Sequence, residues 1–120
     1  MRRMRNPVVI ALMLATALIF AGCSDGFSAD SSVTVISREE GSGTRGAFEE
    51  LFGIERTADG ADIIPSTGAV LTSVQGDVSA IGYISLGSLN TTVKALEIDG
   101  AKATVENVKN GSYKVSRPFN

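Results

Sequence analysis

The chain has 120 residues, with 11 Lys and Arg against 13 Asp and Glu, a formal net charge of −2, no histidine and one cysteine. Without a clustered basic surface, nucleic acid is excluded as a partner. Scattered carboxylates with no histidine make no ligand set for zinc or iron, no cofactor motif is present, and a lone cysteine allows no disulfide within the chain.

Arg2, Arg3 and Arg5 precede an apolar stretch, Val8 to Phe20, that ends in Ala21-Gly22-Cys23. The stretch is shorter than the roughly 18 to 20 apolar residues of a spanning helix, and its basic start and small-residue end read as a secretory signal over residues 1–22. Phe20-Ala21-Gly22-Cys23 resembles the bacterial lipoprotein signal, which implies that Cys23 becomes the lipidated mature N-terminus. Two or more acyl chains would then anchor the protein durably to the cell membrane, on its periplasmic or outer face. Beyond residue 22 the chain is one small domain's worth of sequence, 98 residues with 13 acidic and 8 basic side chains.

Residues 23–32, rich in Ser and Asp, read as a flexible tether. Val33-Thr34-Val35-Ile36 is β-branched throughout and suits a strand buried on both faces of a parallel sheet. From Thr44 to Phe52, Ala47, Phe48, Leu51 and Phe52 recur at helical spacing, Glu49 and Glu50 are expected to face away, and Gly53 can supply a left-handed stop. Ile63-Ile64 leads to Pro65, after which Thr67 to Gln75 reads as a second helix capped by Ser66 or Thr67. Ala80 to Ser85 and Val93 to Ile98 read as strands, the latter turned at Asp99-Gly100. Thr104 caps a short helix through Val108, Asn110-Gly111 marks a turn, and Tyr113-Lys114-Val115 has strand character. Strands alternating with helices predict an α/β layer with parallel pairing.

Chemistry concentrates in Arg38-Glu39-Glu40-Gly41-Ser42-Gly43-Thr44, between the first strand and the first helix. A helix start leaves backbone N–H groups without intrahelical acceptors and carries a partial positive charge, so an oxyanion satisfies both. Gly41 and Gly43 permit close backbone approach, Ser42 and Thr44 add hydroxyl donors, and Arg38 adds a planar fork suited to a tetrahedral anion. The turn lacks the lysine of a nucleotide-hydrolysing P-loop, and no carboxylate stands beside a nucleophile or base, so no catalytic arrangement is expected. Arg45 reads as a surface residue, Glu39 and Glu40 as solvent-facing, and Tyr83 as core.

Ser37 to Arg45 followed by an amphipathic helix, then Ala80 to Ser85, Val105-Glu106-Asn107-Val108 and Ser116-Arg117-Pro118-Phe119, together resemble the phosphate-binding lipoproteins of bacterial phosphate ABC importers. Members of that family are two-lobed periplasmic binding proteins that close over phosphate and deliver it to a membrane permease. The resemblance implies a partial lobe of that fold, with mostly parallel sheet flanked by helices. It further implies that Arg38, Ser42, Gly43 and Thr44 hold inorganic phosphate. On this basis residues 33–92 correspond to a second, phosphate-binding lobe and 93–120 to part of a return segment toward a first lobe that has no counterpart here. The expected function is the substrate-binding component of a phosphate import system, truncated. The alternative is a half-protein that complements a separate lobe or docks on a permease or sensor through apolar surface at Ile84, Leu86 and Leu89. With one lobe, affinity is expected near millimolar, about −4 kcal/mol.

Overall fold

The computed structural model describes residues 26–118. The signal over residues 1–22 and the lipidation site Cys23 lie outside the described residues, as does Phe119. Strand β1 (Thr34–Arg38) is followed by helix α1 (Gly43–Phe52), strand β2 (Asp62–Ile64), helix α2 (Thr67–Gly76) and the short strand β3 (Ala80–Ile81). A 3-10 turn at Leu86–Ser88 and helix α3 (Val105–Lys109) complete the order. The fold is α/β: a three-stranded sheet ordered β2-β1-β3 with helices packed on it.

Both pairings are parallel. Ile36, Ser37 and Arg38 stand opposite Asp62, Ile63 and Ile64, while Thr34 and Val35 stand opposite Ala80 and Ile81. The β-branched run of β1 therefore takes the central position, where both edges of its backbone find partners. Burial follows: Ile36 is 3% exposed, Ser37 1% and, from α2, Val70 2%. The core thus lies under the carboxyl half of β1, directly behind the turn that carries the polar residues.

The helices begin and end where local chemistry directs. The Ser42 hydroxyl accepts from Arg45 N at 3.3 Å and caps α1, whose last carbonyls are closed by Gly53 in the left-handed conformation, φ 62°. Ser66 caps α2 by accepting from Ala69 N at 3.1 Å, and Thr104 caps α3 by accepting from Asn107 N at 3.1 Å. Along α1, Ala47, Phe48 and Leu51 are half-buried, as their spacing requires, while Phe52 at the end stays exposed.

Several expected strands are shorter or missing. Ala80 to Ser85 is strand only at Ala80–Ile81, because Gly82 then passes so close over the core that a Cβ there would meet Val70 Cγ1 at 3.2 Å and Ile36 Cβ at 3.5 Å. Val93 to Ile98 forms turns and irregular backbone, with one antiparallel bridge between Ile98 and Ala101 across Asp99 (φ 51°) and Gly100 (φ 77°). Its β-branched and apolar residues lack a ladder: among the described residues no strand lies beside it, and a strand needs a neighbour to satisfy its backbone. Tyr113 is likewise outside any strand, its N–H donating to Asn107 O at 3.0 Å. Conversely β2 arises from three residues, Asp62–Ile64, too few for a periodic signal and recruited by β1. Ile84, Leu86 and Leu89, expected to form exposed apolar surface, are half-buried; the exposed apolar positions include instead Ile63 on β2, Ile81 on β3, Val78, Leu96 and Val105.

Candidate functional site

Parallel strands deliver their following loops to one edge of the sheet. The order β2-β1-β3 puts the reversal of chain direction across the sheet beside β1, the position where open parallel sheets gather ligands outside their carboxyl ends. Arg38, the last residue of β1, stands opposite Ile64, the last of β2, so the starts of α1 and α2 lie side by side.

At the first of these starts, Gly41 takes φ 82°, a conformation that suits glycine, and turns the chain so that Ser42 becomes the cap and Gly43 and Thr44 the first helical residues. The amides of those first residues have no intrahelical acceptor. Ser42 caps through an oxygen lone pair, which leaves its hydroxyl proton available to an anion. Sequence reading placed Arg38, Ser42, Gly43 and Thr44 in one cradle, and the fold puts all four at the mouth of β1.

Arg38 is held more firmly than expected. Its Nε and Nη2 donate to the two carboxylate oxygens of Glu39, each at 2.9 Å, and its Nη1 donates to Thr67 Oγ1 at 3.0 Å. Thr67 is the first residue of α2, so the arginine ties the two helix starts together. A guanidinium has five N–H donors; these contacts use three, leaving two for a ligand. The side chain is only 13% exposed against 38% for Glu39. The hydrogen bonds from Arg38 hold the Glu39 carboxyl below the usual carboxylate range, and that carboxylate in turn raises the guanidinium.

Three expectations are corrected here. Glu39 does not simply face solvent but lies along the guanidinium, because its neighbour's charge is the nearest satisfaction for a carboxylate on a tight turn. Arg45 is not a surface residue: its side chain is 16% exposed, its Nε donates to Glu49 Oε1 at 2.8 Å and its Nη1 to Arg38 O at 3.2 Å. Glu49 turns inward to meet it, 18% exposed, and also accepts from Thr57 N at 3.2 Å. The i,i+4 spacing places Arg45 and Glu49 on one face of α1, and the loop after the helix folds over that face. Arg45 lowers the Glu49 carboxyl, and Glu49 raises Arg45.

Tyr83, expected in the core, packs there and also bonds. Its ring stacks on Phe48 with centroids 4.1 Å apart and planes at 6°. Its hydroxyl accepts from Arg38 N at 3.1 Å and lies 2.8 Å from Ser37 Oγ, which donates to Thr57 Oγ1 at 3.1 Å. Nothing in the local sequence marks Ser37, Thr57 or Tyr83 as partners, because they come from three separate segments. Among the described residues no cluster of His, Cys, Asp or Glu could hold a metal ion, and no helix is long and apolar enough to cross a membrane.

The linkage to pH follows from the two depressed carboxyls. Glu39 and Glu49 have folded-state values below their unfolded ones, so the stability each pair contributes is present above the ordinary carboxylate range and fades as pH falls through the depressed values. Glu39 also sets a charge beside any anion on Arg38. Glu39→Gln is therefore expected to tighten the binding of an oxyanion at this corner severalfold. Isothermal titration at neutral pH checks it; unchanged or weaker binding would show that Glu39 serves the anion by orienting Arg38 rather than opposing it by charge.

Comparison with known proteins follows the same lines. Residues 15–119 match a PBP superfamily domain. The chain is 50% identical to phosphate-binding protein PstS 2 of Streptococcus agalactiae, over 98% of this chain and 45% of that relative. It is similar to a solved phosphate-binding protein of a phosphate ABC transporter from Streptococcus pneumoniae, with 54% identity and a TM-score of 0.67 over 69% of this chain and 36% of that one. It is also similar to a Clostridium perfringens protein solved with bound phosphate, with 48% identity and a TM-score of 0.71 over 75% of this chain and 38% of the other. The chain spans less than half the length of the relatives it matches.

Proposed function

The chain belongs to the PBP superfamily, and from that premise we propose that it binds inorganic phosphate at the cradle formed by Arg38, Ser42, Gly43 and Thr44, as a substrate-binding component of a phosphate ABC import system. One observation carries the reading. Arg38, capped on one side by Glu39 and on the other by Thr67, keeps two N–H donors beside a helix start whose first amides have no intrahelical partner. A guanidinium, two hydroxyls and main-chain amides at the positive end of a helix form a donor set for a tetrahedral oxyanion. The site holds no nucleophile paired with a base, so binding without turnover is the reading that its chemistry supports.

In this proposal residues 33–92 form the phosphate-binding lobe and 93–120 part of a return segment. Residues 23–32 tether the lobe to a lipid anchor at Cys23, which places it outside the cytoplasmic membrane next to a permease. A cleft with one wall leaves the ion wet, and desolvation and loop ordering offset much of each hydrogen bond, so binding by this lobe is expected near millimolar, about −4 kcal/mol. Donors alone suit sulfate as well as phosphate, because discrimination needs an acceptor for the phosphate proton. The test is a titration of the ¹⁵N-labelled chain with phosphate and with sulfate. Saturable shifts at Gly43 and Thr44 with both ions, in the millimolar range, are expected. Absence of any shift there would sink the reading, and submicromolar binding that resists sulfate would show that a second wall is unnecessary.

A second reading, that the lobe also pairs with a separate complementary lobe, is favoured by the sheet's two edges. Ile63 on β2 is 56% exposed and Ile81 on β3 is 43% exposed, both flanking a backbone edge open to further pairing. A monomer that binds no apolar dye and recruits no partner would count against it.

A further inference from the structure

We propose that Tyr83 is a positioning residue for Arg38: its hydroxyl replaces the missing sheet partner at the end of β1 and so fixes the peptide from which the anion-binding guanidinium projects. The inference rests on the phosphate reading of the cradle and adds a residue that does not touch the ion.

β3 leaves the sheet after Ile81, so beyond Val35 the β3 side of β1 has no strand beside it. Two side chains take over at Arg38. Its N–H donates to the Tyr83 hydroxyl at 3.1 Å, and its C=O accepts from Arg45 Nη1 at 3.2 Å. On the side away from β2, both the N–H and the C=O of Arg38 are therefore clamped by side chains rather than by a strand. The Tyr83 hydroxyl lies 2.8 Å from Ser37 Oγ while its oxygen receives the Arg38 N–H, and Ser37 Oγ lies 3.1 Å from Thr57 Oγ1. The bonds link Arg38 N–H through Tyr83 and Ser37 to Thr57, and Ser37 at their centre is 1% exposed. In such a dry setting each bond is worth more than on the surface and leaves little freedom of angle.

The ring is placed for this task. Gly82 lets the chain cross within contact of Ile36 and Val70, and the Tyr83 ring then lies flat on Phe48 of α1, the helix that the cradle opens. Tyr83 thus touches both the end of β1 and the first helix, the two elements whose relative position sets the distance from the guanidinium to the amides of Gly43 and Thr44.

The experiment uses Tyr83→Phe, which keeps the ring and its stacking and removes only the hydroxyl, and Ser37→Ala, which keeps the tyrosine and removes the hydroxyl it bonds to. The first readout is the Arg38 Nε–H resonance of the ligand-free protein, assigned by its loss in Arg38→Ala. In the parent it should be dispersed and slow to exchange, and in both variants it should shift and exchange faster while the amides of β2 and α2 stay in place. The second readout is phosphate titration, with both variants expected to bind about threefold to tenfold more weakly, the range of one buried hydrogen bond. An unchanged Arg38 Nε–H signal in both variants overturns the proposal. A shifted signal in a protein that never responds to phosphate supports the positioning role and removes the binding reading instead.

Discussion

Arg38→Ala is expected to abolish the saturable response to phosphate. On the proposed reading the arginine supplies the full positive charge that meets the anion, and each charge-assisted hydrogen bond it gives is worth about 1.5 to 3 kcal/mol. Its loss also leaves Glu39 uncompensated, turning a neutral pair into a net negative charge beside the helix start, and releases Thr67 from its tie to β1. With two donors lost, a weakening of at least about a hundredfold follows, which moves millimolar binding out of the measurable range. Folding should barely notice, since a partly exposed ion pair contributes about 1 kcal/mol or less. The measurement is therefore paired: phosphate-dependent amide shifts at Gly43 and Thr44 vanish while the melting temperature holds. Superimposable titrations of variant and parent would locate the anion somewhere other than this cradle.

Ile36→Ala is expected to produce the largest loss of stability. Ile36 sits in the central strand at 3% exposure, beneath Gly82 and Val70, where a Cβ on Gly82 would touch both side chains. Truncating such a residue costs about 2 to 5 kcal/mol through lost transfer energy and a residual cavity. A domain of about 90 residues has roughly 5 to 14 kcal/mol in total, and this one has two fully buried apolar residues among those described, Ile36 and Val70, so it belongs at the lower end of that range. Urea denaturation should show a midpoint moved far toward zero denaturant, or no folded baseline at all. Ile63→Ala is the contrast: the same chemical change on an edge strand at 56% exposure should stay within about 0.5 kcal/mol. Equal losses from the two would mean that the sheet is buried differently in solution, for instance by a partner covering β2.

The two substitutions separate function from fold at residues only two positions apart in the same strand. Ile36 is buried in the core, whereas Arg38, on the same face two residues later, ends the strand where the chain opens into a loop at the carboxyl end of the sheet.

Local signals were sufficient wherever the physics is local. The β-branched run before Arg38, the glycine stop of α1, the cap of α2, offered at Ser66 or Thr67 and taken by Ser66, and the Thr104 cap of α3 each depend on residues within about four positions, and each stands where the sequence places it. The glycine-serine corner between strand and helix is legible for the same reason, as is the family likeness of the segments around it. Strand character in Val93 to Ile98 failed because a strand is a relation between two segments, and composition reports on only one of them. Length failed at Ala80 to Ser85 because the close passage of Gly82 over Val70 ends the pairing, a contact between residues twelve apart.

By itself, then, the amino-acid sequence determined that this is an α/β chain with a glycine-serine corner rich in hydrogen-bond donors at Arg38 to Thr44, because capping, turn geometry and side-chain donor chemistry are written in near neighbours. Only the tertiary structure decided how that corner is held: Glu39 along the guanidinium, Thr67 from the second helix, and Tyr83, Ser37 and Thr57 joined from three separate segments behind Arg38. Those bonds span up to 46 positions in the chain, and a hydrogen bond of that reach exists only once the parallel sheet has brought its partners within 3 Å of each other.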